Sequence, residues 1–184
     1  MPLRSFGQVF DTGRRSSSHR KHHRTQPRVG FMCEIISIDF QAVWAYVTKE
    51  FQCDLDSIHG PDHWRRVETN ALNISASNGA IVEVVRLFAV FHDSRRENDG
   101  QDCEHGERGA QYAASLRGTL FDLSNTHLEL LQNACRWHTH GQLSKDPTLG
   151  ACWDADRLDL TRIGITPRAK FMSTVHGCSL SSQE

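Results

Sequence analysis

Residues 81–91, IVEVVRLFAVF, are apolar on nearly every side, and the next two residues are His92 and Asp93. A stretch of this kind suits a central, buried helix rather than a surface one. The polar pair at its end is carried toward the interior with it. A buried imidazole or carboxylate without a partner costs several kcal/mol. The fold must therefore form around this segment and bring partners to His92 and Asp93.

The flanking segments carry the same periodicity. Asp39 is placed to cap a helix bearing Phe40, Val43, Trp44 and Val47. Pro61 suits the first turn of a second helix, whose face runs Trp64, Val67, Ala71, Ile74. Asp102 is expected to cap a helix through Ala110, Ala113 and Leu116, and Ser124 one through Leu128, Leu131, Ala134 and Cys135. A short helix from Cys152 to about Leu160 and a last one after Pro167 complete the set. No alternating strand of useful length and no internal repeat occur, so the fold class is all-α.

A chain of 184 residues with 38% hydrophobic content has room for one domain and a tail. Charge divides it. Residues 1–32 hold seven Arg or Lys against Asp11 alone, while residues 33–184 hold fourteen basic and twenty-one acidic side chains. The run RRSSSHRKHHR has no periodicity, so 1–32 reads as a disordered basic tail or as a start upstream of Met32. A transit peptide or an anion-binding arm are the sharper alternatives. His19, His22 and His23 lie in this run and are not expected in a buried site.

A net charge of −1 argues against a dedicated nucleic-acid binder. The longest apolar run falls short of the roughly 20 residues that span a bilayer. The six cysteines form no CxxC pair, and no secretory pattern is present, which favours a reducing compartment. The expectation is a cytoplasmic domain over 33–184 with no membrane partner, its oligomeric state open and a homo-oligomer included.

The remaining histidines and acids follow the apolar stripes. His63 stands on the face of Val67, Ala71 and Ile74, and His138 continues the face of Leu131 and Ala134. Asp154, Asp156 and Asp159 cluster on a short apolar helix. A lone histidine on an apolar face is more often a hydrogen-bonded core residue. A single divalent ion would satisfy all of these groups together, and imidazole with carboxylate suits Mn, Fe, Co, Ni or Zn, with Mg where carboxylates dominate.

His63 in DHWRRV, His92-Asp93 in FAVFHDS and Asp156 in DADRLDL resemble the H…HD…D signature of the HD-domain superfamily of metal-dependent phosphohydrolases, over about residues 38–175. The resemblance implies an all-α bundle of five or more helices, with the metal held between them by His63, His92, Asp93 and Asp156. It implies a hydrolase that cleaves a phosphate ester of a small molecule or nucleotide through a metal-activated water. His105 in CEHGERGA and His138 in WHTHG match stretches where two-metal subfamilies add histidines, with Asp93 as the bridge. Asp154 is then a second-layer or capping group. Trp153 and Leu160 should mark the buried side of this helix with Asp156, while Asp154 and Arg157 share another face.

The loop SRRENDGQD follows the His-Asp pair. There Arg96, Glu97 and Asp99 are candidates beside Asp93 for catalysis, and Arg95 for holding phosphate, although most such charge runs are solvated. His59, Arg66 and Arg157 are further substrate-binding candidates. Arg66 and Arg157 can instead pair with Asp62 or Asp159. The superfamily's 5′-nucleotidase branch has a glutamate three residues after the HD aspartate; here that position is Arg96, which weakens the case for a nucleoside monophosphate. His127, His140 and His176 are read as unrelated to the site. Two other functions fit the pattern: an HD-type di-iron oxygenase, if His105 and His138 are ligands, and a non-catalytic ligand-binding HD module.

Overall fold

The computed structural model describes residues 37–183. The expected tail over 1–32, and Cys33, lie outside the described residues. Seven α-helices run in order: α1 (Phe40–Lys49), α2 (Pro61–Asn78), α3 (Val82–Phe91), α4 (His105–Leu116), α5 (Asn125–Trp137), α6 (Pro147–Leu158) and α7 (Val175–Leu180). Short 3-10 turns occupy His138–His140, Asp159–Ile163 and Ala169–Phe171. Among the described residues there are no strands, only two isolated bridges. The fold is an all-α bundle. No helix among the described residues is long and apolar enough to cross a membrane, and the five described cysteines are free thiols.

Helix α3 is the axis and packs against α1, α2, α4, α5 and α6. Val84, Val85, Leu87, Phe88, Ala89, Val90 and Phe91 are all fully buried. Its valines are poor helix formers, each costing up to ~0.7 kcal/mol against alanine. Burying each larger side chain contributes about 1.5–3 kcal/mol, so packing decides the conformation.

The local signals hold at several ends. Asp39 Oδ1 accepts from the Ala42 amide at 3.0 Å. Pro61 opens α2, and Ser124 caps α5 by accepting from the His127 amide. Three expectations are corrected. Asp102 does not cap α4, whose N-cap is Glu104; its carboxylate instead takes both bonds from Arg108 Nη2, at 2.7 and 2.6 Å. Helix α6 starts five residues before Cys152, because Asp146 accepts from the Thr148 and Leu149 amides and Pro147 fills the first position. The last helix begins at Val175 rather than directly after Pro167.

Two glycines set the depth of α4. A Cβ on Gly106 would sit 2.6 Å from the Cys135 carbonyl oxygen, and one on Gly109 would sit 2.5 Å from that of Phe91. Only glycine lets the α4 backbone approach the last turns of α5 and α3 this closely. Those turns carry the histidines.

Candidate metal centre

Six donors from five helices meet in the core. His63 comes from α2, His92 and Asp93 from the end of α3, His105 from the start of α4, His138 from the turn after α5, and Asp156 from α6. They form two groups able to hold a metal ion: His63, His92 and Asp156, and Asp93, His105 and His138. In the first group, His63 Nε2 lies 3.1 Å from His92 Nε2 and 3.3 Å from Asp156 Oδ1. In the second, His105 Nε2 lies 3.0 Å from His138 Nε2 and 3.2 Å from Asp93 Oδ1.

Asp93 stands between the groups. Its Oδ1 faces His105 and His138, the latter at 3.5 Å, while its Oδ2 lies 3.6 Å from His63 Nε2 and 3.7 Å from His92 Nε2.

The donors fit a cation on two counts. Ligand atoms about 2.1 Å from one ion, at octahedral or tetrahedral angles, stand about 3.0–3.4 Å apart, close to the spacings observed. Protonation points the same way. His92 Nδ1 lies 3.1 and 3.0 Å from the Phe88 and Ala89 carbonyl oxygens, and His138 Nδ1 lies 2.7 Å from that of Cys135. His105 Nδ1 meets the Asp102 carbonyl. A carbonyl only accepts, so each of these Nδ1 atoms carries the proton. His63 Nδ1 is 2.7 Å from Asp159 Oδ2 and donates to it in the same way. In the neutral rings four Nε2 lone pairs therefore converge beside two carboxylates. Among the described residues no single group answers all of them, whereas a divalent ion accepts lone pairs from several such ligands at once.

The electrostatics record the same crowding. Burial pushes His92 down to about 3, against the pull of Asp93 and Asp156. Burial also opposes a charge on His63 and His138, yet their carboxylate neighbours outweigh it and raise both. For Asp93 and Asp156 the surrounding imidazoles overcome burial and hold the carboxyls well below their ordinary range.

A cavity of about 700 Å³ opens above the donors, lined in part by His59, Asp93, Arg96, His138, Asp156 and Arg157. His59 Nδ1 is 2.9 Å from Asp93 Oδ2. The Arg96 guanidinium is buried, bonded to Asp93 Oδ1 at 3.2 Å and to the Asn98 and Gly100 carbonyls. Arg157 lines the cavity but donates to the Phe171 and Gln142 carbonyls.

The other candidates are held elsewhere. Arg66 bonds Asp159 at 2.7 Å. Arg95 lies over the Tyr112 ring. Glu97 is exposed beside Arg108, and Asp99 accepts from Ser57 Oγ. Asp154 and Arg157 share a face of α6 and pair there at 3.8 Å, and because α6 is buried almost all round Asp154 is fully buried. Its oxygens take the Ser173 and Thr174 amides and the Thr174 hydroxyl. It braces the chain before α7 rather than reaching the donors. His140 is exposed against Trp137.

Two functional groups have no motif to announce them. Asp159 orients His63 and also meets Arg66 and Arg162. Its spacing of three from Asp156, on a helical stretch, was the usable signal. Arg162 lies against the Ile58 carbonyl and 3.4 Å from His59 Nδ1, across more than 100 residues of sequence.

A helical bundle that gathers histidines and aspartates at the ends of its inner helices has the donors to hold a metal ion. No protein-family model matches the chain, and no curated protein matches it. Among solved structures it is similar to a predicted HD superfamily hydrolase from an uncultured Thermotogales bacterium. The identity is 26% over 76% of this chain and 81% of that one, with a TM-score of 0.60. Fold and donor order together support membership of the HD superfamily for this chain.

Proposed function

We propose that the protein is a metal-dependent phosphohydrolase that cleaves a phosphate ester of a small molecule. The observation that carries this reading is Asp93 set between two histidine pairs at the floor of a pocket edged by arginines. His63, His92 and Asp156 would hold one divalent ion, and His105 and His138 a second, with Asp93 serving both. Such ions supply Lewis-acid charge and lower the pKa of a bound water, from 15.7 to about 7 in the case of zinc.

The chain's own groups do the rest. Asp93 accepts a hydrogen bond from the attacking water and fixes its lone pair toward phosphorus. Arg96, pinned by two backbone carbonyls and Asp93, presents a fixed positive charge to the phosphoryl oxygens. His59 borders the pocket outside both donor groups and is the imidazole placed to give a proton to the leaving oxygen. The test is a panel of phosphate esters with protein loaded with Mn, Mg, Co, Ni, Zn or Fe. Turnover that depends on added metal is expected, and no turnover of any ester by loaded protein overturns the reading.

The His105–His138 pair also suits a second reading, an oxygenase using two irons. Iron near two per chain with dioxygen uptake on substrate would establish it, and one ion per chain removes it.

A further inference from the structure

Resting on the hydrolase reading above, we propose that the substrate is amphipathic: a phosphate ester whose other half is an alkyl or aryl group, taken up by residues 160–172. Little of the cavity's far wall comes from the donor helices. Leu160, Ile163, Ile165, Pro167, Phe171 and Met172 all line it, from one continuous stretch that begins four residues after Asp156. Ile163, Ile165 and Phe171 are 42%, 50% and 49% exposed, and Met172 is buried. Single exposed apolar residues are ordinary. Three large ones on one wall of one cavity, above the only two donor groups found among the described residues, make a place for apolar surface.

Charge assigns the other half of the ligand. The guanidinium groups of Arg157 and Arg162 are spent on carbonyls and a carboxylate, while Arg96 is pinned beside Asp93 at the donors. Arg168 also lines the cavity, and its guanidinium makes no hydrogen bond or ion pair among the described residues. A sugar phosphate would leave the isoleucines and Phe171 against hydroxyls. A phosphate on an alkyl or aryl group places its charge at the donors and Arg168 and its carbon on the wall.

The wall is fastened at both ends. Asp159 ties its start to His63 and Arg66, and Asp154 ties the chain just beyond Met172 through the Ser173 and Thr174 amides. The stretch thus contributes carbon surface at a fixed distance from the donors while supplying none of them.

Alkyl homologues test this, because lengthening the chain leaves the head group unchanged. A buried methylene is worth about a fourfold gain in affinity. Calorimetry on zinc-loaded protein, with ethylphosphonate and hexylphosphonate as unhydrolysable probes, is expected to show at least a tenfold preference for hexylphosphonate. The double variant I165S/F171S should retain its zinc and lose most of that preference. Both positions are about half exposed, so the variant is expected to fold. Equal affinities, no binding of either probe, or a preference that survives in the double variant overturns the proposal. Rates on ethyl and hexyl phosphate separate it from the hydrolase reading. A preference for hexylphosphonate without hydrolysis of any ester leaves this proposal standing and removes the hydrolase. Hydrolysis with no dependence on chain length in either binding or rate does the reverse.

Discussion

The metal centre draws its donors from α2, α3, α4, the turn after α5, and α6, and Asp93, His138 and Asp156 bring it to the pocket, whereas most of the remaining lining comes from residues 160–172. In the metal centre each imidazole is buried and held at Nδ1 by a carbonyl or a carboxylate. On the wall the side chains are half exposed and the backbone runs through 3-10 turns and irregular chain. Reactive geometry distributed over five helices is hard to change one piece at a time. A recognition surface on one stretch can change without touching a donor. The two are joined through Asp154, Arg157 and Asp159, all within three residues of Asp156.

The sharpest way to break this division is at Asp93. D93A removes the group common to both donor sets and is expected to lose metal and at least ~10³-fold in rate, since metal-borne charge stabilisation is worth several kcal/mol. Elemental analysis beside a rate assay reads it, and metal retained with activity would remove Asp93 from the centre. D154N comes next, with the opposite signature. A fully buried carboxylate that takes two amides and a hydroxyl is worth about 2–4 kcal/mol. At about 2–4 °C per kcal/mol for a chain of this size, melting should fall by about 5–15 °C with metal stoichiometry unchanged. D156N should behave the other way, losing metal from the His63 group; if the two variants exchange signatures, the register on α6 is wrong.

Smaller effects sharpen the comparison. D159N leaves His63 Nδ1 without its carboxylate and should weaken metal binding 10–100-fold, as loss of such outer partners does. A competition titration with a chelator measures it, and unchanged affinity would make Asp159 a fastening for the wall alone. G106A is the mildest. Its new methyl meets the same Cys135 carbonyl that fixes His138, so a loss of about 1–3 kcal/mol is expected. Occupancy of the His105–His138 group should fall with it, while the His63 group keeps its ion.

Part of the metal centre was legible in the sequence because three of its donors stand at the ends of apolar stripes. His63, His92 and His138 are read directly from helical spacing. His105 and the bridging place of Asp93 came from resemblance and order, since nothing local distinguishes His105 from a solvent-facing first-turn residue. The close approach that buries it depends on Gly106 and Gly109, whose role appears only once α5 and α3 are in position. The wall was not legible. Ile163, Ile165 and Phe171 have no helical period, and what makes them a surface is a long-range fastening. The loop after His92-Asp93 misled for the same reason: Arg95, Glu97 and Asp99 are adjacent in sequence to a donor, but Tyr112, Arg108 and Ser57 draw them away.

His92 and His138 each hang from carbonyls three or four residues earlier, in the last turns of α3 and α5. Carbonyls in the last turns commonly lack an amide partner from their own helix, although that of Phe88 also takes the His92 amide at 2.9 Å. An ion that immobilises these rings therefore tightens the turns behind them, and it does so at a distance from any donor atom. Amide hydrogens near the ends of α3 and α5 should exchange with solvent more slowly once metal is bound, while those of α1, which carries no donor, keep their rate. Metal uptake would then be visible as a change in how often two helix ends open, without any change in where they lie.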